Sequence, residues 1–306
     1  MRALVLGGGG MLGHRVWREL AGRMETFVAV RRPYPYYAPL GWFDERRAID
    51  RVDALDDEDL ERALRVARPS VVLNAVGVVK QRRDADAVES IAVNALLPHR
   101  LARRCASVGA RLIHLSTDCV FSGTHGNYAE SDSPDAPDVY GRSKLLGELD
   151  ADRCLTIRTS MIGREIRSRR GLLEWFLAHR GERVPGFTRA RFSGLTTVEL
   201  SRVLADIAER HGELHGVWHV GGEPTSKFDL LAMVNDRFGL GIALEPDDSL
   251  VCDRTLDAGR FMNATGYRPP TWAAMVAELA TDPTPYDSWA NLWTSTARDR
   301  STASTS

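Results

Sequence analysis

The sequence predicts an α/β fold, a doubly wound parallel sheet with a smaller C-terminal lobe, and three observations carry that prediction. Short apolar runs alternate with amphipathic stretches through the first half of the chain, as expected of strands covered on both faces by crossover helices. The first apolar run ends in a glycine cluster, Gly7-Gly8-Gly9-Gly10-Met11-Leu12-Gly13. After about residue 165 the rhythm changes, and helical stretches are separated by loops bearing glycine and proline. The 306 residues, 43% of them hydrophobic, suffice for one large core or two joined lobes.

Taken in order, Arg2 to Leu6 reads as a buried strand and residues 11–24 as a helix, with Leu12, Val16 and Leu20 at helical spacing. A strand over 26–30 follows. The helix at 56–67 begins with acids that suit its dipole. Pro69 announces a buried strand at 70–73. Residues 86–108 predict a long helix disturbed at Pro98. A strand over 111–115, a helix over 139–149 and a strand over 155–158 complete the alternation, and right-handed crossovers then set the topology. Beyond 165, helices are expected at 172–179, 197–210, 227–238 and 272–279. The division reads as residues 1–165 for the sheet domain and 166–300 for the smaller lobe, which is free to interleave with it. Ser301 to Ser306, small and polar, reads as a loose tail.

The glycine cluster satisfies both G-x-x-G-x-x-G (Gly7, Gly10, Gly13) and G-x-G-x-x-G (Gly8, Gly10, Gly13) between a strand and a helix. Glycines there let the chain turn sharply and let a pyrophosphate approach backbone N–H groups at a helix N-terminus. A flexible turn is the plainer reading of glycines alone. Their place after the first strand makes this a Rossmann-type dinucleotide site, with Met11 and Leu12 inside the loop. The second strand would end on an acid if a free ribose 2′-hydroxyl were read. Arg31-Arg32 stands there instead, and a guanidinium matches a 2′-phosphate in charge and in its forked donors. NADP(H) is therefore the expected cofactor, with NAD(H) left open and a solvated surface pair as the plainer alternative. Asp53 is placed to accept from the adenine amino group. Asn74-Ala75-Val76-Gly77, at a strand end, is small enough for the cofactor to lie across it.

Tyr140-Gly141-Arg142-Ser143-Lys144 puts a phenol and an ammonium on one face of a helix. A neighbouring cation is expected to lower the phenol's pKa so that it passes a proton near neutral pH. Upstream, Ser116-Thr117-Asp118 ends a buried strand, and in open α/β sheets such ends face the ligand crevice. A hydroxyl at Thr117 can hydrogen-bond a reacting carbonyl oxygen. A helix cap or turn is the plainer reading of Ser-Thr-Asp by itself.

Together these motifs resemble the extended short-chain dehydrogenases/reductases that act on nucleotide sugars, and most of all the dTDP-4-dehydrorhamnose reductases. The resemblance runs over nearly the whole chain: the glycine loop, Ser116-Thr117-Asp118-x-Val120-Phe121-x-Gly123, the acidic, proline-bearing loop from Tyr128 to Pro137, Tyr140-Gly141-x-Ser143-Lys144 with Gly147-Glu148, and Arg158-Thr159-Ser160. It implies a catalytic set of Thr117, Tyr140 and Lys144, with Lys144 also holding the nicotinamide ribose and Asp118 near the substrate. It implies reduction of a 4-keto group on a nucleotide-linked deoxysugar, with a homodimer common in the family. Two departures bear on the sugar. Met161 stands where the family often has an aromatic, and the wording from Gly186 to Gly194 differs. Arg189 and Arg191 are placed to bind a sugar-nucleotide diphosphate, with surface solvation as the alternative. Arg254, with Leu256 and Asp257, resembles a substrate-lobe motif, with a structural ion pair as the alternative.

Two other functions use the same fold. A 4,6-dehydratase would want a second carboxylate after Asp118, and Cys119 stands there; an epimerase keeps its NAD tightly bound, and Arg31-Arg32 argues against NAD. A non-catalytic NADP-binding regulatory subunit, like that of methionine adenosyltransferase, would not need the intact Thr–Tyr–Lys set. The net charge of -1, with acids and bases interspersed, gives no support for a nucleic acid or anionic membrane partner. The scattered cysteines 105, 119, 154 and 252 have no metal-like spacing, so no metal is expected, and they read as reduced thiols in the cytoplasm.

Overall fold

Along β1 (Arg2–Leu6) the apolar side chains alternate between two cores, Ala3 and Val5 joining one and Leu4 and Leu6 the other. Period-two alternation of this kind lets a parallel sheet be buried on both faces. The computed structural model describes residues 1–79, 86–167 and 170–292; the expected tail at 301–306 lies outside them. α1 (Gly13–Ala21), β2 (Glu25–Ala29), the short β3 (Ala48–Ile49), α2 (Asp57–Ala67) and β4 (Val71–Asn74) follow in turn. The next crossover starts as α3 (Ala87–Ser90), widens into a π-helix over Ile91–Leu96 and continues as α4 (Leu97–Ser107) into β5 (Arg111–Leu115). α5 (Val139–Leu146) leads to β6 (Cys154–Arg158).

Beyond these lie β7 (Met161–Ile162), α6 (Leu172–Ala178), β8 (Arg183–Phe187), β9 (Ala190–Phe192), β10 (Leu195–Thr196), α7 (Thr197–Arg210) and β11 (Gly216–His219). β12 (Thr225–Ser226), α8 (Lys227–Phe238), β13 (Ala243–Asp247), β14 (Cys252–Asp253), α9 (Gly259–Thr265) and α10 (Trp272–Ala280) complete the described elements. The main sheet has the order β3-β2-β1-β4-β5-β6-β11, every pair parallel. This is the Rossmann-type doubly wound arrangement, with its switch point between β1 and β4. β11 and α7 both lie past residue 165 in sequence, yet β11 pairs with β6 and α7 packs on α1.

The helix expected at 11–24 is shorter, because Gly10 to Leu12 are spent on the turn before Gly13. Asp56 caps α2 by accepting from the Asp59 N–H at 3.0 Å, and three acids fill its first turn. The disturbance expected at Pro98 takes a definite form: the π-helical stretch ends immediately before α4, whose first turn holds Pro98. Asn94 sits in that stretch. Its amide accepts from the Val78 N–H at 2.9 Å and donates to the Val78 carbonyl at 3.0 Å and to Ser143 Oγ at 3.2 Å. The widened turn therefore pins the segment after β4 to α5.

The chain leaving α5 passes so near this turn that a Cβ on Gly147 would stand 1.9 Å from the Asn94 carbonyl oxygen. Gly147→Ala should destabilise the protein by about 1–3 kcal/mol, because backbone must shift to admit the methyl. Gly212→Ala, where a Cβ meets nothing within 4 Å, should be neutral. Urea unfolding midpoints of the two variants check this.

Candidate active site

The site lies at the carboxyl ends of β1, β2, β4 and β5. Gly7 turns at φ +82° against the Ala75 backbone, where a Cβ would stand 2.9 Å from the Ala75 carbonyl carbon. A Cβ on Gly13 would stand 2.2 Å from the Gly7 carbonyl oxygen, so α1 can begin this close to the turn only with glycine there. These approaches leave a cleft of about 430 Å³ lined at one end by Gly7, Gly9 and Gly10 and along its length by Ala75, Val76 and Gly77. Arg31, Arg32 and Asp53 line it as well. So do Tyr36, Tyr37, Ile166 and Arg167, which no local pattern in the sequence marked.

Several expected cofactor residues take other places. Leu12 is buried in the core and Gly13 lies behind Gly7, so neither lines the cleft. Met11 is half-buried beside Gly171. The Asn74 amide is turned away: its Nδ2 meets His114 Nδ1 at 3.1 Å and its Oδ1 accepts from the Val76 N–H at 3.1 Å. Asn74 thus shapes the turn that Ala75 to Gly77 make, rather than offering a side chain to a ligand. Arg31 and Asp53, read from sequence as separate contacts, face each other at 3.4 Å, and Asp53 Oδ1 also accepts from the Leu55 N–H. Arg31 is exposed and Asp53 half-buried, and the pair is worth little by itself.

Thr117 follows β5, and its Oγ1 accepts from the Cys119 N–H and donates to Asp118 Oδ1, both at 3.1 Å. Asp138 caps α5 by accepting from the Gly141 N–H at 2.8 Å, which starts the helix that carries Tyr140 and Lys144. The Tyr140 phenol is buried near the Thr117 hydroxyl, the Cys119 thiol and the Asp118 carboxyl. Burial, followed by the nearby Cys119 thiol, pushes that phenol above its ordinary value, and the Thr117 hydroxyl opposes the shift. The lowered phenol expected from the sequence is therefore not what this structure has. Lys144 is buried, and its Nζ donates to the Leu115 carbonyl at 2.5 Å. Burial lowers its pKa to about 8, against the field of Glu148.

Glu148 lies one helical turn beyond Lys144 and forms a buried bidentate pair with Arg158, with Nε to Oε1 and Nη2 to Oε2 both at 2.8 Å. Ser116 Oγ donates to the same carboxylate at 2.6 Å. Asp118 is buried and its carboxyl is raised, burial acting first and the Arg254 charge opposing. Arg254 itself donates to the Phe121 carbonyl at 2.8 Å and the Ser122 carbonyl at 3.2 Å, so its expected substrate contact begins from a role in holding that loop. Arg191, on β9, is exposed and 3.4 Å from Asp253, and Arg189 is exposed. Met161 is half-buried on β7 and packs against the core. Among the described residues no group of three His, Cys, Asp or Glu could hold a metal ion.

The sequence profile of the RmlD substrate binding domain family matches residues 1–249. The chain belongs to that family. A dTDP-4-dehydrorhamnose reductase from Mycobacterium tuberculosis is 35% identical over 157 residues, which is 48% of this chain and 44% of the relative. The chain thus spans less than half the length of this curated relative. The methionine adenosyltransferase 2 subunit beta of Danio rerio is 25% identical over 262 residues, 78% of this chain and 74% of that one. Among solved structures, a hypothetical dTDP-4-dehydrorhamnose reductase from Sulfolobus tokodaii superimposes with a TM-score of 0.74 at 25% identity, covering 89% of this chain and 98% of its own. The Bacillus anthracis dTDP-4-dehydrorhamnose reductase in complex with NADP gives 0.73 at 17% identity, covering 92% and 99%, a likeness of fold.

In this RmlD-family protein the Lys144 ammonium gives a pH signature. An unfolded lysine keeps its proton up to 10.5, whereas the folded one loses it from about pH 8. Between these values the unfolded chain binds more protons, so stability should rise with pH across that window. Lys144→Met should lack this slope when unfolding free energies of the two proteins are compared from pH 7.5 to 10.

Proposed function

We propose that the protein is an NADP(H)-dependent reductase of a 4-keto group on a nucleotide-linked deoxysugar. The observation that carries the reading is the meeting of Thr117, Tyr140 and Lys144 at the end of β5, beside the glycine-floored cleft at the ends of β1 and β4. The cleft fits a dinucleotide: a side chain at Gly7 or Gly13 would collide with backbone, and Arg31 and Arg32 stand where a 2′-phosphate would be read. Gly7, Gly10, the Met11 backbone and Ala75 to Gly77 would hold its diphosphate and nicotinamide side, Arg31, Arg32 and Asp53 its adenosine side, and Lys144 its nicotinamide ribose. NADPH would supply the hydride; NADH is a possible substitute.

Tyr140 holds its proton well above neutral pH and is poised to give it to the carbonyl oxygen. Thr117 would polarise the same oxygen once its hydroxyl turns from Asp118. Lys144 would stabilise the phenolate left behind. Asp118, Met161, Arg189, Arg191 and Arg254 would face the sugar nucleotide. The reading includes a cytoplasmic setting, in which the four unpaired cysteines stay reduced, and a homodimer. A 4,6-dehydratase would need a second acid or base at Cys119. Burial pushes that thiol up to about 12, so it is neither a ready base nor a strong acid. The likeness to the methionine adenosyltransferase subunit favours, as a second reading, a regulatory subunit that binds NADP without turnover.

NADPH should bind more tightly than NADH, and Arg31→Ala with Arg32→Ala should erase the difference, each charge-assisted phosphate contact being worth about 1.5–3 kcal/mol. Dissociation constants for both cofactors check it, and equal affinities in the wild type would overturn the preference. Tyr140→Phe should lower turnover of a 4-keto-6-deoxy sugar nucleotide by roughly 10²–10⁴-fold while NADPH still binds. Stoichiometric NADPH consumption by the wild type separates the reductase from both the dehydratase and the silent subunit.

A further inference from the structure

The chain after α10 returns to the glycine loop. His14, in the first turn of α1, is fully buried. Its Nδ1 lies 2.8 Å from the Gly10 carbonyl oxygen and its Nε2 lies 2.8 Å from the Tyr286 hydroxyl. A carbonyl can only accept, so Nδ1 carries the proton and Nε2 accepts from the phenol. Burial keeps the ring neutral, lowering its pKa to about 4. Tyr286 is itself buried and locked from several sides. Asp282 pairs with Arg15 at 2.8 Å, Asp287 pairs with Arg164 at 2.6 Å, and the Arg164 guanidinium lies 5.0 Å from the Tyr286 ring centre. Trp289 packs edge-on against Trp42, whose Nε1 donates to the His14 carbonyl at 3.1 Å. The segment thus grips α1 behind Gly10 and also Arg164, three residues before the cleft-lining Arg167.

The peptide unit is planar, so the carbonyl of Gly10 and the N–H of Met11 turn together. Tying the carbonyl back to His14 fixes the aim of that N–H at the start of α1, where an anion is met by backbone donors. We propose that Tyr286 is a positioning residue for nucleotide-diphosphate binding: acting through His14, it holds the Gly10–Met11 peptide in the orientation a pyrophosphate requires. This rests on the dinucleotide reading of the cleft.

The test uses the full chain with NADPH as probe and, separately, amide hydrogen exchange of the ligand-free protein. Tyr286→Phe removes one hydrogen bond and keeps the ring. It should weaken NADPH by about tenfold, the size of one lost hydrogen bond to a buried group, and should speed exchange across residues 8–14. His14→Asn, whose amide can still reach the Gly10 carbonyl, should bind NADPH better than His14→Leu. Glu245→Gln loosens the Arg183 pair between β8 and β13, away from the loop, and should leave both measurements unchanged. The proposal is overturned if Tyr286→Phe matches the wild type in affinity and exchange, or if Glu245→Gln weakens NADPH as much. A wild type that binds no NADPH removes the dinucleotide reading, and the exchange comparison then decides alone whether Tyr286 holds the loop.

Discussion

Glu148 and Arg158 share two hydrogen bonds in the protein interior, and the elements that carry the site depend on that pair. Glu148 follows α5, Arg158 ends β6, and Ser116, which follows β5, donates to the same carboxylate. Arg158 Nη1 is 3.3 Å from His219 Nε2 at the end of β11, and His219 Nδ1 lies 3.0 Å from the Tyr128 carbonyl. One ion pair therefore joins three strands, a helix and the loop that closes over them. Burying two charges is not stabilising in itself, since desolvation can exceed the attraction. Its value here is geometric: with both charges satisfied only in this arrangement, the ends of β5, β6 and β11 are held in one register with α5. Removing either partner would leave the other buried and unmatched, at a cost of about 3–5 kcal/mol.

The fold was legible because its signals are local. Arg111–Leu115 and Thr197–Arg210 appear with the bounds the sequence implies, each marked by periodicity and by flanking turn residues. Pro98 and the acids before α2 announced their effects through chemistry that acts within one turn. What periodicity could not show is that β11, sixty residues past β6, returns to the sheet edge. That return depends on partners across the chain, on Gly216–His219 finding Leu155–Arg158, and nothing in either stretch specifies the other.

The site divides along the same line. The placement of Tyr140 and Lys144 on one helix could be read because a helix repeats every three to four residues, and that of Thr117 because it follows a buried strand. For Asn74, position at a strand end does not say which way the amide turns, and His114 on the neighbouring strand claims it. Arg31 and Asp53, 22 residues apart, were each assigned to the ligand, while the structure sets them against each other. Asn94 reaches Ser143 across 49 residues and His14 reaches Tyr286 across 272. Such contacts are fixed by the packed sheet and lobe, so only the fold reveals them.

On the proposed reading, the charge balance around α5 explains how a raised phenol would serve as a proton donor. Glu148 is saturated by Arg158 and Ser116, so Lys144, one turn earlier, receives only part of its field and a single carbonyl acceptor. Its pKa falls because burial is incompletely compensated. Tyr140 is raised by the same burial and by Cys119 and Asp118. Tyr140 and Lys144 stand four residues apart on α5, the phenol neutral and the ammonium without a full counter-charge. On the proposed reading, proton release would create the missing anion on the face of the helix that Lys144 occupies. The attraction would then be stronger after transfer than before it, and an interaction that strengthens along the reaction is the kind that lowers a barrier. Were Glu148 free to neutralise Lys144, that difference would be spent in the resting state; by occupying Glu148, Arg158 would keep the ammonium's charge available for a phenolate.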